Sequence, residues 1–156
     1  MHKNSPYNES LFFKIEQISK YIQEDYISKY NQKITHDEFR VIDIINYNPD
    51  ICQRDLAKLA LRDCVKIGRI LDSLEKKGYI QRFNDTKGKR LVKKMKLTEE
   101  GLNFYKEMIA KIEPETDKFL NQIFTKNELK EFKNYLNKLD LNKLNKALAS
   151  TIKVEV

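Results

Sequence analysis

The chain has 156 residues, 34% of them charged, a formal net charge of +7, and only four glycines and three prolines. This length suits one core, the composition argues against a loop-rich or all-β fold, and no apolar run approaches the roughly 20 residues that span a bilayer. The N-terminal residues do not resemble a secretory signal, and two cysteines do not make a disulfide framework. We therefore expect a single cytoplasmic domain.

The first third of the chain is predicted to be helical. Apolar residues recur at helical spacing from Leu11 to Tyr26 and predict a long first helix that ends near Asn31. The residues Thr35–Glu38 predict a capping box that opens a second helix, and Asn48–Asp50 would close it. A third helix is expected from Gln53 to about Leu61.

The middle of the chain is predicted to contain a fourth helix and a hairpin. Asp63 is the expected N-cap of the helix, and Lys77–Gly78 is its expected C-terminal stop. The segments Tyr79–Asn84 and Leu91–Leu97 have the composition of two strands around a turn at 85–89. The element order is therefore helix, turn, helix and hairpin.

The C-terminal third is predicted to contain two further helices. Thr98 opens a fifth helix, in which Pro114 predicts either a kink or a restart. A second capping box at Thr125–Glu128 opens a last helix that continues to Leu144. The apolar residues of the terminal helices exceed what one small domain should leave on its surface, which predicts self-association.

Positive charge is concentrated between Gln53 and Lys96. This window contains fourteen lysines and arginines and five acidic residues, a net charge of +9, so the rest of the chain sums to about −2. A local excess of this kind usually binds a polyanion. The helix-turn-helix and the hairpin in the same window are suited to DNA.

Two groups of residues are the candidate DNA contacts. The first lies at positions i, i+4, i+7 and i+11 around the fourth helix, within roughly 60° at about 100° per residue: Arg62, Lys66, Arg69 and Ser73. These side chains could enter a major groove, where cations bind guanine and Ser contacts bases or phosphate. The second group could reach a minor groove or the backbone: Lys87, Lys89, Arg90, Lys93 and Lys94. The alternative for each residue is a solvated charged surface.

Two segments of this sequence resemble a known family. Residues 63–82, DCVKIGRILDSLEKKGYIQR, and residues 97–101, LTEEG, are similar to the recognition helix and the strand-to-helix junction of the MarR (multiple antibiotic resistance regulator) family. The resemblance implies a mainly α (α+β) fold, a winged helix-turn-helix core with long terminal dimerisation helices. Residues 35–112 would form the DNA-binding lobe, and residues 1–34 and 113–156 the dimerisation helices of one MarR-like domain.

The hairpin, or wing, departs from the family pattern. Wings of the family carry an acidic residue before two arginines, whereas this chain has Gly88–Arg90 there, and Asp85 is the one nearby acid. The basic pair Lys89–Arg90 is also separated from Leu97 by one residue more than in the family. A basic wing is therefore expected, but insertion of Arg90 into a minor groove does not follow from the resemblance.

The resemblance also implies partners and modes of control. Relatives are homodimeric regulators, and many are repressors on inverted-repeat DNA that a small phenolic or lipophilic ligand releases. Other relatives sense oxidants through cysteine, and Cys64, at a helix N-terminus beside basic residues, is the first candidate here, with Cys52 the second.

The other classes of protein find less support in the sequence. Motifs for phosphate binding, redox chemistry or a nucleophile are absent, so neither enzymatic activity nor a cofactor is expected. The two histidines are far apart and the cysteines lack ligand spacing, so no metal is expected. A winged helix used for protein–protein assembly remains open, although it would not need a cationic recognition helix.

Overall fold

The computed structural model describes residues 10–21, 24, 27–31, 33–87 and 90–138, apart from the side chains at 28, 87 and 90. Within these ranges the helices and strands are α1 Leu11–Tyr21, α2 His36–Tyr47, β1 Ile51–Cys52, α3 Gln53–Ala60, α4 Cys64–Lys76, β2 Ile80–Lys87, β3 Arg90–Leu97, α5 Glu99–Ile123 and α6 Lys126–Lys138. The described residues fall into two units, the first ending at Lys111 and the second beginning at Ile112.

The first helix is shorter than the sequence predicted. α1 ends at Tyr21, and Ile27–Lys29 form a 3₁₀ turn instead of continuing an α-helix to Asn31. The side-chain oxygen of Asn31 accepts a hydrogen bond from the backbone nitrogen of Lys33 at 2.8 Å, a local turn that competes with helix. Residues 22, 23, 25 and 26, which include two predicted apolar positions, lie outside the described residues.

The capping box of α2 is confirmed. The Thr35 hydroxyl accepts from the Glu38 backbone nitrogen at 3.2 Å, and the Glu38 carboxylate accepts from the Thr35 backbone nitrogen at 2.9 Å. At the other end, the backbone and side-chain nitrogens of Asn48 both donate to the Ile44 carbonyl. Both ends of α2 are therefore fixed by short-range contacts that the sequence reveals.

The core of the first unit lies between α2, α3, α4 and the sheet. The predicted inward faces of α3 and α4 are confirmed, since all seven of their positions are buried: Leu56, Ala57, Ala60, Ile67, Ile70, Leu71 and Leu74. Val41, Ile42 and Ile45 of α2, Met95 of β3 and Met108 of α5 are fully buried. Burial of apolar side chains from four elements holds α4 firmly against the domain.

The sheet is antiparallel, three-stranded, and ordered β1-β3-β2. The hairpin register runs from Ile80 opposite Leu97 to Lys87 opposite Arg90, so both strands are longer than predicted. The sequence did not predict β1, in which Ile51 pairs with Met95 and Cys52 with Lys94. A two-residue strand is too short to show the alternation that identifies strands.

The second unit comprises the end of α5 and α6. Pro114 lies inside α5, which continues to Ile123 rather than restarting. The capping box of α6 is confirmed, because the Thr125 backbone nitrogen donates to the Glu128 carboxylate at 2.8 Å and the Thr125 hydroxyl accepts from the Glu128 backbone nitrogen at 3.3 Å. The predicted continuation to Leu144 lies outside the described residues. None of the described helices combines the length and apolarity needed to cross a membrane.

Candidate nucleic-acid interface

The junction between α4, the wing and α5 depends on close backbone contact. The Thr98 hydroxyl donates to the Gly78 carbonyl and accepts from the Gly101 backbone nitrogen at 3.0 Å. A Cβ atom at Gly101 would lie only 1.9 Å from the Tyr79 carbonyl oxygen, so this position requires glycine. Gly78 ends α4 with φ +78°, a conformation that favours glycine. The LTEEG segment therefore ties the wing to α5.

The outward face of α4 differs from the stripe that the sequence predicted. At about 100° per residue, Val65, Arg69 and Lys76 lie opposite the buried face, and all three are exposed, Val65 by 67%. Lys66 and Ser73 lie on the flank that faces α2. The predicted stripe therefore combines Arg69 on the outward face with Lys66 and Ser73 on the flank that contacts α2.

Arg62 precedes α4 and is held by the protein itself. Its Nε and Nη2 atoms donate to Oδ1 of Asp37 at 3.1 and 2.8 Å, and Nη1 donates to the Leu61 carbonyl at 3.2 Å. The Nζ atom of Lys66 donates to Oδ2 of the same carboxylate at 2.6 Å. Asp37, in the first turn of α2, therefore joins the α3–α4 turn to the first turn of α4.

The ionised carboxylate of Asp37 stabilises the cluster that it forms with Arg62 and Lys66. Burial raises the pKa of the carboxyl group, but the hydrogen bonds from Lys66 and Arg62 outweigh burial and leave the pKa below its ordinary value. Asp37 is therefore an anion at neutral pH, and the cluster has a net charge of +1.

Ser73 belongs to a second polar cluster, centred on the buried carboxylate of Glu38. Its hydroxyl donates to Oε1 of Glu38 at 2.6 Å, and the Nζ atom of Lys77 donates to the same oxygen at 2.7 Å. Burial raises the pKa of Glu38, but these two hydrogen bonds and that from Thr35 outweigh burial and lower it below the ordinary value. The cluster fixes the C-terminal half of α4 to the start of α2.

A third ion-pair cluster joins α4 to the wing. The guanidinium of Arg82 pairs with Asp72 at 2.7 Å, and its Nε atom donates to Glu75 at 2.9 Å. One cation of the basic window is thus used to fix β2 relative to α4.

The wing has one paired and one exposed lysine among the predicted contacts that are described. Lys94 pairs with Asp85 at 2.6 Å, whereas Lys93 is exposed. Asp85, the acid that could have replaced the family's acidic residue, thus holds Lys94. Lys89 and the side chains of Lys87 and Arg90 lie outside the described residues, so their predicted roles remain predictions.

The two cysteines differ in accessibility. Cys52 is buried, and its thiol donates to the Asp55 carboxylate at 3.1 Å. Cys64 is exposed as the first residue of α4. Among the described residues there is no group of His, Cys, Asp or Glu that could hold a metal ion.

Sequence reasoning missed two residues of this surface. Val65 was missed because a search for cations passes over an apolar residue, although its helical angle opposite Ile67 and Leu74 would have revealed it. Asp37 was interpreted only as part of a capping box. Its contacts with Arg62 and Lys66 join positions distant in sequence and leave no local signal.

These elements together define a winged helix-turn-helix, with α4 as the recognition helix and the β2–β3 hairpin as the wing. The MarR family model matches residues 34–92, whereas no curated protein sequence matches the chain. The predicted resemblance to the MarR family is thus confirmed over residues 34–92, and the predicted fold class is confirmed by the fold shared with MarR.

Solved structures share this fold over most of their length. A mutant MarR from E. coli complexed with operator DNA has a TM-score of 0.71 at 23% identity, over 87% of this chain and 99% of that chain. The S. aureus MepR–DNA complex has a TM-score of 0.71 at 23% identity, over 83% and 96%. NadR in complex with 4-hydroxyphenylacetate has a TM-score of 0.67 at 25% identity, over 89% and 97%.

Proposed function

We propose that the protein is a transcriptional regulator that binds double-stranded DNA in a sequence-specific manner. The observation that supports this most is the outward face of α4, where exposed Val65, Arg69 and Lys76 lie opposite a fully buried face. A rigidly packed helix with such a face can lie in a major groove. MarR and MepR, which share the fold, were solved with DNA.

The structure supports a division of roles among the basic residues. Arg69 is proposed to contact guanine, and Val65 the methyl group of thymine. Lys66 and Lys93 are proposed to contact phosphates, which position the protein without specifying sequence. Arg62 and Ser73 are assigned to holding α4 in place, because their polar atoms are engaged by Asp37 and Glu38.

We propose that the protein is a homodimer. Each unit exposes apolar side chains on its helices: Leu11, Phe12, Ile15, Ile18 and Tyr21 on α1, Phe119 and Ile123 on α5, and Phe132, Tyr135 and Leu136 on α6. Exposed apolar surface on this scale marks association. A two-fold dimer would place its two α4 helices on an inverted repeat about one helical turn apart. Repression follows as the proposed mode, since such a dimer excludes other proteins from its site.

Selection of bound duplexes from a random DNA pool at two salt concentrations tests the proposed function. An inverted repeat recovered at both salt concentrations is the expected result, because base contacts survive screening better than phosphate contacts. Recovery of no preferred sequence would overturn sequence-specific regulation and favour the alternative of an assembly module. Recovery of a single half-site would overturn the dimeric mode alone.

Control by a small phenolic effector is proposed from one relative, since NadR was solved with 4-hydroxyphenylacetate. Titration of this compound into the protein–DNA complex tests the proposal directly. Release of the DNA at millimolar or lower concentration would support an effector of this class. An unchanged affinity for DNA would contradict this particular ligand.

Oxidation of Cys64 is the alternative mode of control, and the exposure of this thiol on the first residue of α4 favours it over Cys52. Treatment with hydrogen peroxide should release DNA from the wild-type protein but not from the Cys64→Ser variant. Equal sensitivity of the two proteins would contradict this mode of control.

A further inference from the structure

We propose that Asp37 is a positioning residue that sets the sequence specificity of DNA binding by fixing the side chain of Lys66. This inference rests on the proposed function. The two carboxylate oxygens of Asp37 bind different cations, Oδ1 binding Arg62 and Oδ2 binding Lys66. Asp37 itself lies in the first turn of α2, outside the recognition helix.

The geometry makes Arg62 a brace instead of a DNA contact. Three nitrogens of its guanidinium donate to protein oxygens, two of them to Oδ1 of Asp37 and the third to the Leu61 carbonyl. The side chain is only 21% exposed. Three of the five N–H donors are thus directed to protein oxygens, so the guanidinium holds the Asp37 carboxylate in one orientation.

Lys66 is held but remains accessible. Its ammonium group has three donors, of which one is directed to Oδ2 at 2.6 Å, and the side chain is 49% exposed. Lysine has a flexible stem whose conformations are otherwise many. The bond to Asp37 keeps this ammonium on the α2 flank of α4, where it lies at a fixed place beside Arg69.

The charge of the cluster explains how positioning becomes specificity. Two cations and one anion leave a net charge of +1, so Asp37 reduces the general attraction of this surface for phosphates. Without Asp37, both cations could pair with whichever phosphates are nearest, on any duplex. Asp37 therefore weakens binding to wrong sequences and aligns the protein on the right one.

The test compares Asp37→Asn with the matched variant Asp117→Asn, which makes the same charge change at an exposed position of α5. Affinities are measured for the duplex recovered by selection and for a random duplex of equal length. Asp37→Asn should lose about tenfold in affinity for the selected duplex, because a displaced Lys66–phosphate contact would misalign the base contact proposed for Arg69. Its affinity for the random duplex should rise, and the dependence of that affinity on salt concentration should be steeper by about one unit. Asp117→Asn should leave the ratio of the two affinities unchanged.

Two further variants separate positioning from folding. Asp37→Glu keeps the charge but displaces the carboxylate, so it should lose affinity for the selected duplex while the random duplex is bound as before. Arg62→Gln removes the brace, and its effect on the selected duplex should not add to that of Asp37→Asn, because the two residues act together. Thermal unfolding of each variant shows whether it is folded in the assay.

The outcomes distinguish this inference from the proposed function. If Asp37→Asn raised the affinity for both duplexes equally, Asp37 would only compete with DNA for the cations. If neither affinity changed, the ion pair would be incidental. Either result would overturn the role of Asp37 as a positioning residue. If the wild-type protein prefers no duplex, the proposed function fails first. A fall in the affinity ratio for both Asp37→Asn and Asp37→Glu would support the inference.

Discussion

Arg69 and Lys93 are both exposed cations, yet they lie on different elements and should contribute to DNA binding in different ways. Arg69→Ala should weaken binding to the selected duplex by about 1–3 kcal/mol and barely affect a random duplex, since base contacts specify. Lys93→Ala should weaken both and reduce the salt slope by about one unit. Binding titrations at three salt concentrations provide the measurement. Identical behaviour of the two variants on random DNA would refute the division of roles.

Gly101 and Gly68 provide a matched pair of glycines in helices. Gly101→Ala should lower the free energy of unfolding by about 3 kcal/mol, because its Cβ would overlap the Tyr79 carbonyl and force the wing junction apart. Gly68→Ala should raise stability by about 0.5–1 kcal/mol through helix propensity, since its Cβ would meet only the flexible end of Gln53 at 3.4 Å. Urea unfolding of both variants tests this. A destabilised Gly68→Ala would show that α4 lacks the space described.

At the scale of elements, Glu38 joins α2 to α4. Glu38→Gln should lower the free energy of unfolding at pH 7 by about 2 kcal/mol, the value of hydrogen bonds to a buried charge. Because its pKa is lower in the folded state than the ordinary 4.5, the carboxylate stabilises the fold above that pH, and this stability is lost as pH falls. The wild type should therefore lose stability on acidification more steeply than the variant.

Urea unfolding at pH 7 and pH 4 measures both effects of the Glu38 substitution. Glu107→Gln, an exposed position of α5, is the control for loss of one negative charge. The free energies of unfolding of the wild type and of Glu38→Gln should differ less at pH 4 than at pH 7. An equal difference at both pH values would show that ionisation of Glu38 does not contribute.

The elements that the sequence predicted well are those fixed by neighbours in the chain. Thr35 and Asp63 are N-caps because their side chains accept hydrogen bonds three residues ahead, and that spacing is visible in the sequence. The flank of α4 that faces α2 was not predictable, since Ser73 meets Glu38 and Arg62 meets Asp37 only through packing. Helical angle separates buried from exposed positions, but it does not say which exposed flank has a neighbour.

At the scale of the whole molecule, the exposed apolar helices lead to a prediction about assembly. Phe12→Glu should convert the proposed dimer to a monomer at micromolar concentration, because Phe12 is 71% exposed on α1 and a carboxylate in a dimer interface would be buried without a partner. Leu59→Glu, at a 51% exposed position of α3, is the matched control and should stay dimeric. Sedimentation velocity distinguishes the two outcomes. A wild-type monomer, or a dimeric Phe12→Glu protein, would exclude α1 from the interface.

The predicted DNA surface stays a prediction, and the structure shows which of its cations are paired within the protein. The charge window at 53–96 contains α3, α4, β2 and all but the last residue of β3. Within it, Arg82 and Lys94 are paired with acidic residues, because a charge count does not show which cations face acids across a fold. The assignment of individual contacts to DNA depends on the experiments described above.

The shortness of β1 determines how much of the wing is well ordered before DNA binds. Its two residues support the hairpin only near Met95 and Lys94, so the part of the wing beyond that point is a two-stranded ribbon, an arrangement that is marginal in water by itself. Backbone amides of residues 84–87 and 90–93 should therefore exchange hydrogen with solvent faster than those of β1 and α4. Bound DNA should slow that exchange, and the conformational entropy lost there would oppose binding. A cross-strand disulfide in the ribbon should then strengthen affinity without adding any contact to DNA.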